Sequence, residues 1–269
     1  MSKQTIFRNL KTVLYMADKR LKVVFFLTNG GSGWSYLRKH DPRFNKTYKV
    51  VAGFTDNKNA SGIEHFPGLY VLDYKDWCKE NKYSVFEERR DAYFQAVYDK
   101  FFKGMEIDLL ALSGFMKKIQ KSFLDKFPNR IINIHPADLR KLNPDGKRRY
   151  TGDNAVELAM NDGLKKTFST IHFAEEEIDH GKIICISRPL PIKISLAEKE
   201  ELIAKVLVNK ELNTYAQEIE IERIKAQDFR TPQEQQNLMK IKCDGPALQN
   251  AMRLITLPEN SEFRVKIGI

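Results

Sequence analysis

Leu21-Lys22-Val23-Val24-Phe25-Phe26-Leu27-Thr28-Asn29-Gly30-Gly31-Ser32-Gly33 decides the fold. Residues 23–27 are continuously apolar. The run is far shorter than the roughly 20 residues a bilayer span needs, and it fits a strand buried on both faces. The Asn-Gly-Gly-Ser-Gly turn then opens a short helix carrying Trp34, Tyr36 and Leu37. The same cadence recurs downstream. Residues 48–54 are apolar and close on Thr55-Asp56-Asn57. Residues 69–72 form a brief third run, 107–112 end at Ser113-Gly114, and 130–135 end at Pro136. Between them, Phe86, Tyr93, Val97 and Phe101 mark one stripe of a long amphipathic helix, and a shorter helix falls near 123–127. Apolar strands alternating with helices imply an α/β fold, a mostly parallel sheet with helices on both faces. Such sheets place their sites at the carboxyl ends of strands, so the polar residues that stop each run are where function is sought.

The second half is less regular. Residues 153–160 read as a helix capped by Asp153 or Thr151, and 169–173 and 183–187 as strands joined by an acidic loop. After Pro189 and Pro191 the chain becomes helical and charge-mixed, over 198–224, 231–242 and 246–255, with 263–267 as an edge strand. At the other end, Ile6, Leu10, Val13, Leu14 and Ala17 recur at helical spacing among basic residues. A packing helix is the reading preferred there over a mitochondrial presequence. The expected division is an N-terminal amphipathic helix at 1–20, an α/β domain at 21–192 and a helical extension at 193–269.

Of the 269 residues, 45 are Lys or Arg and 35 Asp or Glu, giving a net charge of +10 that favours anionic partners. The basic stretches lack interleaved aromatics, which argues against nucleic acid, and no run is long enough for a membrane. Cys78, Cys185 and Cys243 are scattered, which excludes a disulfide framework or zinc ribbon and fits a cytoplasmic setting.

Three segments can carry chemistry. Gly30, Gly31, Ser32 and Gly33, at a strand-to-helix turn, read either as a phosphate cradle or as a plain tight turn. In Asn133-Ile134-His135-Pro136, strand alternation puts Asn133 and His135 on one face. An amide and an imidazole there suit carbonyl chemistry, one as oxyanion donor and the other as donor or base. In the third segment, His172 lies on a strand and Asp179 in the loop that leaves it, where a carboxylate beside an imidazole would orient it and raise its pKa. His135, His172, Asp179 and His180 lack the spacing of a metal-ligand set, so no metal is expected.

Taken in order, these segments resemble the folate-dependent formyltransferase family, over residues 21–192. The match comprises the strand–NGGSG–helix, the segment Leu110-Ala111-Leu112-Ser113-Gly114-Phe115-Met116-Lys117-Lys118-Ile119, then Asn133-Ile134-His135-Pro136, and finally Ser169-Thr170-Ile171-His172-Phe173 with Ile178-Asp179-His180-Gly181. The resemblance implies a Rossmann-like formyltransferase fold with 21–192 as catalytic domain. It further implies transfer of a formyl group from 10-formyltetrahydrofolate, without metal, to a small anionic amine. Glycinamide ribonucleotide of purine biosynthesis comes first, and an amino sugar nucleotide is the alternative. Asn133, His135 and Asp179 would be catalytic, with His172 supporting Asp179. Folate would lie against Phe115, Met116, Lys117, Lys118, Ile119, Glu176, Glu177 and Ile178. The acceptor's phosphate would sit on Gly30, Gly31, Ser32 and Gly33.

Three departures stand out. Gly33 stands where the family usually has Asn, and Lys117 where it usually has Arg. The stretch 138–150 after Pro136 is longer and more basic than usual, so Arg140, Lys141, Lys147, Arg148 and Arg149 would fringe the acceptor or form a solvated loop. A formyltetrahydrofolate hydrolase would carry a further domain ahead of Leu21, where this sequence has twenty residues. A tRNA formylating enzyme would append a β-barrel where this tail reads as helical. A catalytically dead folate binder would not be expected to keep all three catalytic residues.

Overall fold

The computed structural model describes residues 20–193, 196–225 and 230–258. Strand β1 (Leu21–Leu27) leads into helix α1 (Ser32–His40), β2 (Tyr48–Thr55), β3 (Leu69–Val71), α2 (Tyr74–Glu80) and α3 (Phe86–Val97). Next come β4 (Leu109–Leu112), α4 (Lys121–Leu124), β5 (Ile131–His135), α5 (Ala155–Asn161), β6 (Lys166–Thr167), β7 (Thr170–Phe173), β8 (Ile183–Ile186) and β9 (Leu190–Pro191). The tail adds α6 (Leu196–Val208), α7 (Thr214–Lys225), α8 (Pro232–Met239) and α9 (Gly245–Ile255). The sheet order is β3-β2-β1-β4-β5-β7-β8. The first five strands pair in parallel, and β7 and β8 are antiparallel. This is the mixed, mostly parallel sheet the sequence predicts. Among the described residues no helix is long and apolar enough to cross a membrane.

Alternation along each strand builds two cores. Val23, Phe25, Leu27, Ile132 and Ile134 face Trp34 and Leu37 of α1 and Leu248, Ala251 and Met252 of α9. Val24, Phe26, Leu110, Leu112 and Ile131 face an aromatic layer of Tyr93, Phe94, Phe102 and Phe123. Helix α9 is therefore a covering layer of the sheet, sharing one core with β1 and β5. The second core is dense with rings; Phe26 and Phe54 lie 4.8 Å apart, centroid to centroid. Such ring pairs add stability beyond the area they bury.

Several boundaries differ from the sequence expectation. The helix expected over 198–224 is two helices. Asn209 and Asn213 side chains accept from the backbone N–H groups of Glu211 and Ala216, which gives the chain a local alternative to helical pairing. Phe86 is exposed rather than inward, beneath the Arg90 guanidinium at the first position of α3. The cap of α5 is Asn154, not Asp153 or Thr151. The break expected at 243–245 is bridged by a π-turn at Lys240–Asp244, and Pro246 sits in the first turn of α9, where its missing N–H costs no hydrogen bond. Helix α2, which the sequence reading passed over, starts at Asp73, whose side chain accepts from Asp76 N–H. The N-terminal helix and the strand at 263–267 lie outside the described residues.

Gly33 has a packing reason. A Cβ there would stand 2.7 Å from Ser113 Oγ and 3.0 Å from both Ile134 Cδ1 and Leu248 Cδ2. Gly33→Ala is expected to cost about 1–3 kcal/mol, the usual scale of overpacking. A lower denaturant midpoint at unchanged m-value would show it.

Candidate active site

The candidate site lies where β5 ends beside β7. Asn133 pairs with His172 and His135 with Thr170 across the antiparallel ladder, so strand register alone brings the amide and one imidazole together. Ile134 turns the other way, into the α9 face. The acidic loop after β7 folds back with Phe173 N–H donating to Lys182 carbonyl. That return passes Gly181, where a Cβ would stand 1.8 Å from the Phe173 carbonyl oxygen. It delivers Asp179, with a φ of 59°, into the space beside β5.

There the three groups meet. His135 Nδ1 lies 3.3 Å from Asp179 Oδ2, and His172 Nε2 lies 3.4 Å from Asp179 Oδ1. Asn133 Nδ2 donates to Asp179 Oδ1 at 3.3 Å and lies 3.2 Å from His172 Nε2. Backbone groups fix the rings. His135 Nε2 is 2.7 Å from the Tyr150 carbonyl, and His172 Nδ1 is 2.7 Å from the Phe173 carbonyl. A carbonyl only accepts, so those two nitrogens carry the hydrogens. His172 Nε2 lies between the Asn133 amide and Asp179 Oδ1, and His135 Nδ1 faces Asp179. Gly152 N–H donates to Asp179 Oδ2 at 2.8 Å.

Electrostatics divides the roles. Burial pushes the Asp179 carboxyl up, but His172, His135 and the Gly152 N–H together outweigh it and hold the group at about 2. Burial lowers the His135 pKa, against the pull of Asp179 and the Tyr150 carbonyl. The resting site therefore holds an ionised carboxylate facing the lone pair of a neutral imidazole. A proton arriving at Nδ1 would lie between two acceptors, which suits a base that takes a proton during reaction. Asn133 is half-buried and its two contacts are long, so one N–H can turn to a developing oxyanion at little cost.

The remaining expected residues are distributed as follows. Phe115 and Ile119 are buried in the aromatic core, leaving only their backbone toward a ligand. Met116 is half exposed, with its N–H on Thr28 Oγ1. Lys117 Nζ lies 3.3 Å from the buried Asp56 carboxylate, and Lys118 is half-buried. Glu176, Glu177 and Ile178 are exposed on the approach to Asp179. At the glycine turn, Gly33 N–H is taken by Ser113 Oγ, while Gly30 is exposed and Ser32 half-buried behind the left-handed Gly31. Among the described residues no group of His, Cys, Asp and Glu is placed to hold a metal ion. His180 faces away, its Nδ1 2.7 Å from the Ile178 carbonyl.

The stretch 138–150 is a small hairpin. Asn143 N–H donates to the Lys147 carbonyl and Arg149 N–H to the Lys141 carbonyl, around Asn143-Pro144-Asp145-Gly146. Two of its cations are paired with carboxylates, one inside the hairpin and one outside it. Arg140 forks onto Asp138 and Arg149 onto Asp162. Lys141 and Lys147 are exposed, and Arg148 donates to the Asp179 carbonyl. Sequence reading missed Tyr150 and Gly152, because both act through backbone atoms. The only signal was Gly152 closing Tyr-Thr-Gly, whose φ is 76°.

An amide, an imidazole and an ionised carboxylate meet at the carboxyl edge of a mostly parallel sheet, an arrangement suited to chemistry at a carbonyl carbon. The chain belongs to the formyl transferase family, whose model matches residues 21–219. It is 26% identical over 219 residues to the chloroplastic phosphoribosylglycinamide formyltransferase of Arabidopsis thaliana, covering 80% of this chain and 70% of that protein. It is 33% identical over 101 residues to the trifunctional purine biosynthetic protein adenosine-3 of Gallus gallus, covering 38% of this chain but only 9% of that much longer protein. Its fold matches glycinamide ribonucleotide transformylase 1 of Symbiobacterium toebii, with a TM-score of 0.53 at 20% identity and 90% of each chain covered.

Proposed function

We propose that this enzyme transfers a formyl group from 10-formyltetrahydrofolate to the primary amine of a small phosphorylated acceptor, glycinamide ribonucleotide first. The observation that carries the reading is the convergence of Asn133, His135 and Asp179 within 3.3 Å contacts. The acceptor is drawn from the named activity of the Arabidopsis relative.

In this scheme the amine attacks the formyl carbon and the carbonyl electron pair moves to oxygen. Asn133 Nδ2 donates to that oxyanion. The proton lost by the amine passes to His135 Nδ1, beside Asp179. Collapse of the intermediate breaks the bond to N10 of the folate, which takes that proton from His135 Nδ1 as it leaves as tetrahydrofolate, restoring the neutral ring. Backbone at 115–119 and the loop at 176–178 border the folate, and Gly30, Gly31 and Ser32 the acceptor phosphate. No metal enters the scheme. Cys78, Cys185 and Cys243 are unpaired thiols, which fits the cytoplasm as its setting.

Purified protein given 10-formyltetrahydrofolate and glycinamide ribonucleotide is expected to release tetrahydrofolate in step with formylated product. Release with an amino sugar nucleotide, and none with glycinamide ribonucleotide, would move the acceptor assignment to that class. Release without any amine would make the chain a hydrolase.

A further inference from the structure

Residues 148–152 touch both reacting groups from one side. Arg148 Nη1 donates to the backbone carbonyl of Asp179 at 2.5 Å. Two residues on, the Tyr150 carbonyl accepts from His135 Nε2. Two further, Gly152 N–H holds the Asp179 carboxylate.

This segment is itself anchored. Arg149 grips Asp162 at the end of α5, the Tyr150 ring is buried against Ala137, Ala155 and Ala159, and the hairpin at 141–149 ties Arg148 across from Leu142. Asp179 needs such support. Its φ of 59° is a left-handed conformation that a residue with a Cβ adopts only when its surroundings hold it there. The hydrogen bonds on its carboxylate fix the end of the side chain. The Arg148 bond fixes the backbone it hangs from. The charges of Glu175 and Asp179 act on the half-buried guanidinium.

We propose that Arg148 is a positioning residue, which sets the Asp179 carboxylate against His135 by holding the Asp179 carbonyl, rather than a ligand of the acceptor. This rests on the formyl-transfer reading, in which Asp179 and His135 share the amine's proton.

The test uses the full chain, with Arg148→Met and Arg148→Lys. Arg148→Met is expected to lower kcat by about 10- to 100-fold, the scale of a misplaced reacting group, with KM for acceptor and folate within about two-fold of the parent. Arg148→Lys, which keeps a donor and a charge, recovers most of that loss. A substrate-free readout is the titration of the His135 ring by histidine-labelled NMR. In Arg148→Met it moves to lower pH, because the Asp179 charge is no longer held beside the ring; in Arg148→Lys it returns toward the parent. A raised acceptor KM at unchanged kcat would place Arg148 on the acceptor and overturn the proposal. So would an unchanged kcat with an unchanged His135 titration. Should Arg148→Met not fold, Arg148→Gln is read by the same two measurements. A parent protein without formyl transfer would defeat the proposed function, while the His135 titration would still decide whether Arg148 positions Asp179.

Discussion

His135→Ala is expected to lower kcat for formyl transfer by about three powers of ten, within the range for losing a positioned acid–base group. The ring is the group whose unprotonated nitrogen lies beside the Asp179 carboxylate, and no neighbour can replace it. His172 Nε2 is directed at Asn133, and Asp179 at about 2 is too weak a base to hold a proton near neutrality. The truncation also leaves the Tyr150 carbonyl without its donor, so a stability loss of about 1–3 kcal/mol accompanies it. Asn133→Ala isolates the other half of the chemistry. It should cost about two to three powers of ten in kcat, as for other oxyanion donors. Its KM should stay near the parent, since the contact forms only in the transition state. The half-exposed amide makes little demand on folding. Tetrahydrofolate release in single-turnover assays, read beside urea melts of each variant, separates catalysis from stability. Near-parent turnover in either variant would remove that residue from the scheme.

How far the sequence reaches differs between sheet and site. The strands were legible because each is a short apolar run with a polar stop, and alternation fixed which residues share a face. Asn133 and His135 followed from that alternation without coordinates. The meeting of His135 with Asp179 did not. It depends on a left-handed aspartate in a loop, on the tight passage at Gly181 and on two backbone groups from 148–152, none of which leaves a periodic pattern. The stretch 138–150 reads as a cluster of cations because sequence shows charges and not their partners; Asp138 and Asp162 take up two of the five. The split of the tail into α6 and α7 was missed for a related reason. A charge-mixed helical run outweighed two asparagines whose side chains compete with the helix for backbone N–H groups. Gly33 shows packing imposing on motif, since Leu248 of α9 and Ser113 fill the place where a side chain would stand.

Asp179→Asn is expected to lower kcat by about three powers of ten and to change how stability depends on pH. The amide cannot copy the carboxylate. Turned one way, its NH2 meets the Gly152 N–H; turned the other, it meets the Asn133 NH2. Either orientation sets donor against donor and removes the charge that balances a protonated His135. In the parent, the carboxyl lies at about 2 when folded against 3.8 as its ordinary value. That difference is worth about 2 kcal/mol. The stabilisation is fully present above about pH 4 and is lost as pH falls toward 2. The stability gap between parent and Asp179→Asn should therefore be wide at pH 6 and narrow at pH 2–3, as urea melts across that range would show. The rate profile should move as well. His135 already titrates below the ordinary histidine value because burial outweighs the pull of Asp179. Removing that pull lowers it further, so the acid limb of kcat/KM shifts to lower pH in the variant even as the plateau falls. An acid limb that stayed in place while the plateau dropped would mean that Asp179 serves geometry alone and does not share the proton.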